Sequence, residues 1–141
     1  MKLPVSYLFV PGDRPDRFAK ALASGAHSVI VDLEDAVSAE AKASARQHIR
    51  AWRATQPGSE SRLLVRINDA STSWFEADLA LIQECAISAV VLPKTERVGD
   101  IARVRNSLPR DGWVVPIIET ARGASEMAGS RIINKDAMTA R

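Results

Sequence analysis

The ten residues from Ser28 to Val37, SVIVDLEDAV, decide the fold. The run Ser28 to Val31 is small or apolar throughout, which suits a strand covered on both faces. Three carboxylates follow at once: Asp32, Glu34 and Asp35. In parallel α/β folds the C-terminal ends of the strands face the ligand site, so a buried strand that ends in acid reads as part of such a site. The plain alternative is that the acids open the next helix, where they complement its macrodipole. Taken alone, the stretch leaves both open.

Outward from this stretch the same unit recurs. Strands are predicted at Tyr7 to Val10, Ser28 to Val31, Leu63 to Ile67, Ala89 to Leu92 and Trp113 to Ile118, all short and rich in Val, Ile and Leu. Helix signals fill the gaps. Asp13 is placed to cap a helix with Pro15 in its first turn and Gly25 just past its end. Between Ser38 and Thr55, Ala41, Ala45, Ile49 and Trp52 share one stripe. Ser73 and Glu76 have capping-box spacing ahead of Phe75, Leu79 and Ile82, and Thr95 is placed to cap a helix carrying Val98, Ile101, Arg105 and Leu108. A doubly wound open sheet and a (β/α)₈ barrel both fit this alternation. The turn VPGDRP after the first strand has one glycine and neither a G-x-G-x-x-G nor a G-K-[ST] pattern, which counts against a nucleotide-binding sheet.

Composition bounds the rest. The 141 residues suit one domain, and 46% hydrophobic with 26% charged residues is the balance of a soluble globular protein. The net charge of +2 comes from 19 basic and 17 acidic residues without a basic block, so no nucleic-acid partner is expected. No apolar run approaches the roughly 20 residues that span a bilayer. The N-terminal MKLPVSYLFVPGD is too weakly apolar for a signal peptide. Cys85 is alone and sits among helix-spaced apolar residues, as a structural thiol in a reducing, cytoplasmic setting would. His27 and His48 lack a second His or Cys at ligand spacing and read as structural.

Every predicted strand ends in polar groups: PGDR at 11–14, DLED at 32–35, Arg66 with Asn68, Pro93–Lys94, and Glu119–Thr120. Arg66 reads equally as an exposed residue of an edge strand, and Lys94 as ordinary loop. Glu119 directly ends the apolar WVVPII, where an unpaired carboxylate is costly unless a metal or an arginine meets it. Together, an arginine and several carboxylates point to a hard divalent cation, Mg²⁺ before zinc, and to an anionic substrate whose carboxylate suits the guanidinium fork.

The motifs LFVPGDRPDRFAKALASGA, VIVDLEDAV, LLVRIND, WFEADLA, VVLPKTE and PIIETARG, in this order from about Tyr7 to Gly123, resemble the citrate lyase beta-subunit family. This is the citryl/malyl-CoA lyase branch of the HpcH/HpaI aldolases. The resemblance implies an α/β TIM barrel that uses Mg²⁺ to cleave a carbon–carbon bond in a 3-hydroxyacyl thioester. The products would be an oxo-acid and an acyl thioester on coenzyme A or an acyl-carrier protein. By motif, Arg66 matches the contact to the oxo-acid carboxylate, Glu119 the first Mg²⁺ ligand, and Asp32, Glu34 and Asp35 the acidic cluster near the metal's waters, Glu34 foremost. Arg14 and its loop match the thioester-carrier side, and Asn68 and Lys94 join the substrate-binding set. A Schiff base on Lys94 is the minor alternative.

The end of the chain departs from that pattern. A (β/α)₈ barrel typically takes about 250 residues, and about five β/α units of eight are legible here. The family's second metal-binding acid follows a sixth strand in a strand-Gly-x-x-Asp context. Residues 124–141, ASEMAGSRIINKDAMTAR, contain no such strand, and Asp136 does not follow one. Residues 1–123 therefore read as the N-terminal part of the barrel and 124–141 as a divergent tail. Open sheet edges make a homo-oligomer the expected state, and a non-catalytic remnant or interaction module is the competing reading.

Overall fold

The protein is described by a computed structural model over residues 6–56 and 62–128. The link at 57–61, Asp136 and the rest of the tail past Ala128 lie outside the described residues. Five strands, β1 (Tyr7–Pro11), β2 (Ser28–Asp32), β3 (Leu63–Arg66), β4 (Ala89–Leu92) and β5 (Trp113–Pro116), form one all-parallel sheet among the described residues. Their spatial order is β1-β2-β3-β4-β5, the order of the sequence. A doubly wound sheet reverses direction at a switch point, and this one never does. The strand order is that of a barrel wall, five units long.

Helices follow the strands: α1 (Phe18–Ala23), α2 (Lys42–Thr55), α3 (Phe75–Glu84), α4 (Val98–Ser107) and α5 (Ala121–Ala128). They cover one face of the sheet. There Val29, Val31, Leu63, Val65, Val90 and Leu92 pack with Ile49, Phe75, Ile82, Ile101 and Val104. On the other face Ile30, Leu64, Ala89 and Val91 form a smaller cluster with half-buried Trp113, Val115 and Ile117. Two apolar faces explain why the strands read as continuous hydrophobic runs. The α2 stripe is as predicted: Ala45 and Ile49 are fully buried, and Trp52 meets Phe18 edge to face with ring centroids 5.5 Å apart.

The predicted caps are corrected. No side-chain cap bond opens the 3₁₀ turn Pro15–Arg17, whose N-cap is Arg14 rather than Asp13. None opens α3, whose N-cap is Trp74, so Ser73 and Glu76 form no capping box. Helix α4 starts after Arg97, because the Thr95 hydroxyl donates instead to the carbonyl of Leu92 at 2.8 Å. Helix α5 does have a cap: the Gly123 amide donates to Thr120 Oγ1 at 3.0 Å. It runs from Ala121 to Ala128, across position 123.

The sheet has unpaired edges at β1 and β5 among the described residues. Tyr7, Leu8 and Phe9 on β1 are exposed, as is Ile118 beyond β5. No helix among the described residues is long and apolar enough to cross a membrane.

Candidate active site

The polar cluster forms because two strands are in register. Asp32 ends β2 directly opposite Arg66 at the end of β3. Both lie on the inner face, in the layer that continues to Val91 and Val115. Arg66 Nε donates to Asp32 Oδ1 at 2.8 Å and Nη2 to Oδ2 at 2.6 Å, a bidentate pair. The Glu34 and Ala36 amides donate to the same carboxylate at 2.8 and 3.0 Å. Burial alone would push the Asp32 carboxyl up; Arg66 and the two amides outweigh it and hold it below the usual carboxylate range. The guanidinium also stacks 5.0 Å from the Phe9 ring.

Glu34 joins these groups from the turn after β2. Lys94 Nζ donates to Glu34 Oε1 at 2.7 Å, and Arg66 Nη1 stands 3.4 Å from Oε2. Lys94 lies 3.9 Å from Asp35 as well. Its backbone adopts φ +48°, a left-handed conformation that a lysine enters at a cost and that swings its side chain across to Glu34. The Glu34 hydrogen bond pushes the ammonium's pKa up, so Lys94 is held protonated. That disfavours a Schiff-base nucleophile, which needs the free amine. Gly12 closes the floor: its amide donates to the Asp32 carbonyl at 2.8 Å, and a Cβ there would lie only 2.8 Å from that oxygen.

Asp32, Glu34, Arg66 and Lys94 are thus brought together, and two alternatives fall. The acids precede the 3₁₀ turn at Ala39–Ala41 and open no helix, and Arg66 sits on a central strand, not an edge. Three other candidates stand apart. Arg14 is exposed and paired with Asp16 at 3.0 Å. Asn68 is 1% exposed, and its side-chain and backbone N–H groups both donate to Asp78 Oδ2, at 2.7 and 2.8 Å. Glu119 is exposed after β5, so the desolvation argument from WVVPII does not hold for it. Among the described residues no group of three His, Cys, Asp or Glu lies close enough to hold a metal ion. His27 bonds Ser6 at 2.9 Å, and Cys85 is partly buried with its thiol pKa pushed up by that burial.

Sequence reasoning missed three residues beside the site. Asp69 lines a cavity of about 230 Å³ with Ser71, Lys94, Arg97, Asp100 and Thr120. Asp78, fully buried, takes Arg46 at 3.0 Å as well as Asn68, and burial pushes its carboxyl up. Lys42 is buried at the start of α2. In sequence, Asp78 and Lys42 are ordinary charges on amphipathic helices. The one available signal was a lysine at a helix N-terminus, where the macrodipole opposes it.

A family profile described as HpcH/HpaI aldolase/citrate lyase matches residues 5–127. The chain belongs to the HpcH/HpaI aldolase/citrate lyase family. Among curated members of the family, a citrate lyase subunit beta-like protein of Mycobacterium tuberculosis is 43% identical over 118 residues, covering 84% of this chain and 40% of the relative. A (3S)-malyl-CoA thioesterase of Cereibacter sphaeroides is 33% identical over 126 residues, covering 87% of this chain and 44% of the relative. The chain therefore spans less than half the length of these family members. Among solved structures, the M. tuberculosis citrate lyase beta subunit complexed with oxaloacetate and magnesium superposes with TM-score 0.72 at 40% identity, over 93% of this chain and 57% of that one. A second structure from that organism, with magnesium, acetoacetate and coenzyme A, gives TM-score 0.73 at 38% identity, over 89% and 46% of the two chains.

Proposed function

We propose that this chain carries the oxo-acid side of a site that breaks, or in reverse forms, a carbon–carbon bond in a 3-hydroxyacyl thioester of the citryl, malyl or citramalyl kind. The observation that carries this reading is the bidentate Arg66–Asp32 pair at the ends of β2 and β3. Asp32 occupies the Nε/Nη2 edge of the guanidinium, which fixes its plane, and Nη1 faces Glu34 at 3.4 Å, so a substrate carboxylate would share the Nη1 side with Glu34. An arginine held in this way binds an oxo-acid with little ordering cost.

In the cleavage direction the 3-hydroxyl loses its proton and the carbon–carbon bond breaks. The electron pair moves to the thioester fragment as an enolate, and protonation gives the acyl thioester while the other fragment leaves as the oxo-acid. Arg66 would hold the oxo-acid carboxylate. Glu34, fixed by Lys94 and facing Arg66, is the carboxylate suited to take the hydroxyl proton. Lys94 would balance negative charge on the thioester side, and the Arg14 loop would meet the carrier, coenzyme A or an acyl-carrier protein. Asn68 would act through the loop it anchors. This reading goes with a cytoplasmic protein.

The donor chemistry fits Mg²⁺. Glu119, an exposed carboxylate just past β5, would serve as an oxygen ligand, and Mg²⁺ commonly binds through one or two carboxylates while keeping waters and substrate oxygens. Bound there, the ion would supply Lewis-acid polarisation of a carbonyl oxygen. A second reading, a non-catalytic interaction module, is favoured by exposed Tyr7, Leu8 and Phe9 on the unpaired edge of β1. Calorimetric titration with oxaloacetate or glyoxylate separates the two. Binding is expected for the parent chain and a loss of about tenfold or more for Arg66→Lys, which lacks the fork. Absence of binding to the parent would support the module reading.

A further inference from the structure

We infer that Lys42 is a positioning residue that sets the direction of the Glu34 side chain. Its location is unfavourable twice over. It is the first residue of α2, where the helix dipole presents its positive end, and it is only 5% exposed. Burial accordingly pushes its pKa down, against the opposing charges of Asp78, Asp32, Glu34 and Asp35. A lysine kept in such a place needs specific partners, and it has them.

Lys42 Nζ donates to the carbonyls of Leu33 and Glu34, each at 2.7 Å, and sits 4.8 Å from the Trp74 ring centroid. Those two carbonyls belong to the peptide planes on either side of the Glu34 Cα. Peptide units are planar, so fixing both planes fixes φ and ψ of Glu34. The Glu34 amide, already bonded to Asp32, closes the third side. With its backbone pinned from behind by Lys42, the Glu34 Cα–Cβ bond is held in one direction, and from there the carboxylate reaches Lys94 and Arg66. Lys42 itself touches neither.

The inference rests on the function proposed above only in treating Glu34 and Arg66 as the site, and the experiment keeps the two apart. In the 141-residue chain, Lys42→Met retains the stem over Trp74 and removes the donors. Amide hydrogen exchange by NMR is expected to rise about 10- to 100-fold at Glu34, Ala36 and Val37, the scale of losing hydrogen bonds to a charged group. The amides of β3 and β4 should keep their parent rates. Should the methionine variant not fold, Lys42→Leu, which also lacks donors, is read the same way. Unchanged exchange in the turn, or a uniform rise through the sheet, overturns the proposal. Oxaloacetate titration runs in parallel, and affinity is expected to fall with the local exchange. If the parent binds no oxaloacetate, the proposed function fails while the exchange pattern still decides on Lys42.

Discussion

Replacing Asp32 with asparagine tests the structural centre of the site. The Asp32 carboxylate is 1% exposed and accepts four hydrogen bonds, two from Arg66 and one each from the Glu34 and Ala36 amides. Asparagine keeps one acceptor oxygen and turns an NH₂ toward groups that themselves donate. Removing one partner of a buried ion pair typically costs about 3–5 kcal/mol. Arg66 retains some solvent contact, with its side chain 19% exposed, and keeps Glu34 at 3.4 Å, so about 2–3 kcal/mol is the expected loss. With a urea m-value of about 2 kcal/mol/M, the midpoint should fall by about 1–1.5 M. Asp32→Asn combined with Arg66→Met should lose less than the sum of the single changes, because neither charge is then stranded. The pH dependence has a definite sign. A carboxylate whose folded pKa is depressed contributes stability that is fully present above its unfolded pKa of about 3.9 and is lost as pH falls through the folded value. The parent should therefore weaken below about pH 4, and Asp32→Asn should lack that part of the decline. A midpoint within about 0.3 M of the parent (roughly 0.6 kcal/mol), or strictly additive losses, would refute the reasoning.

Three further outcomes are expected. Glu119→Gln should abolish Mg²⁺ or Mn²⁺ binding in a calorimetric titration while leaving the urea midpoint unchanged, since the side chain is exposed; unaltered affinity removes Glu119 from the metal site. The 141-residue chain by itself should run above its 15.3 kDa monomer mass in size-exclusion chromatography with light scattering, through the exposed β1 edge. It should also show no cleavage of citryl-, malyl- or citramalyl-thioesters in a coupled assay; a monomer with turnover contradicts both expectations.

The strands were legible because both of their faces are apolar, which leaves little ambiguity about a run such as Ala89–Leu92. The predicted end of β5 at Ile118 overshot. Regular pairing stops at Pro116, which has no N–H to donate, although Ile117 still donates to the Leu92 carbonyl at 2.8 Å. The caps were misread because Asp13, Ser73 and Thr95 have the right chemistry, yet the helices begin two or more residues later. Arg66 and Glu34 were visible as strand-end groups. Their joint attachment to Asp32 and Lys94 depends on strand register and on the left-handed backbone at Lys94, neither of which a spacing rule supplies. The direction of Asn68 depends on Asp78, a charge buried on a helix ten residues away.

The register of Asp32 opposite Arg66 has a consequence for assembly. Side chains alternate between the faces of a strand, so a one-residue slip of β3 would carry the guanidinium into the helix-packed layer that holds Val65 and Ile67. Asp78, the carboxylate buried on α3, is already engaged by Arg46 and Asn68, and a stranded charge in that layer is heavily penalised. The pair therefore acts as an alignment key for β2 and β3, rejecting mispaired sheets before any ligand is met. Sequence change on this face should then accumulate at exposed rim positions such as Arg14 and Arg97, where it leaves the alignment of the sheet untouched.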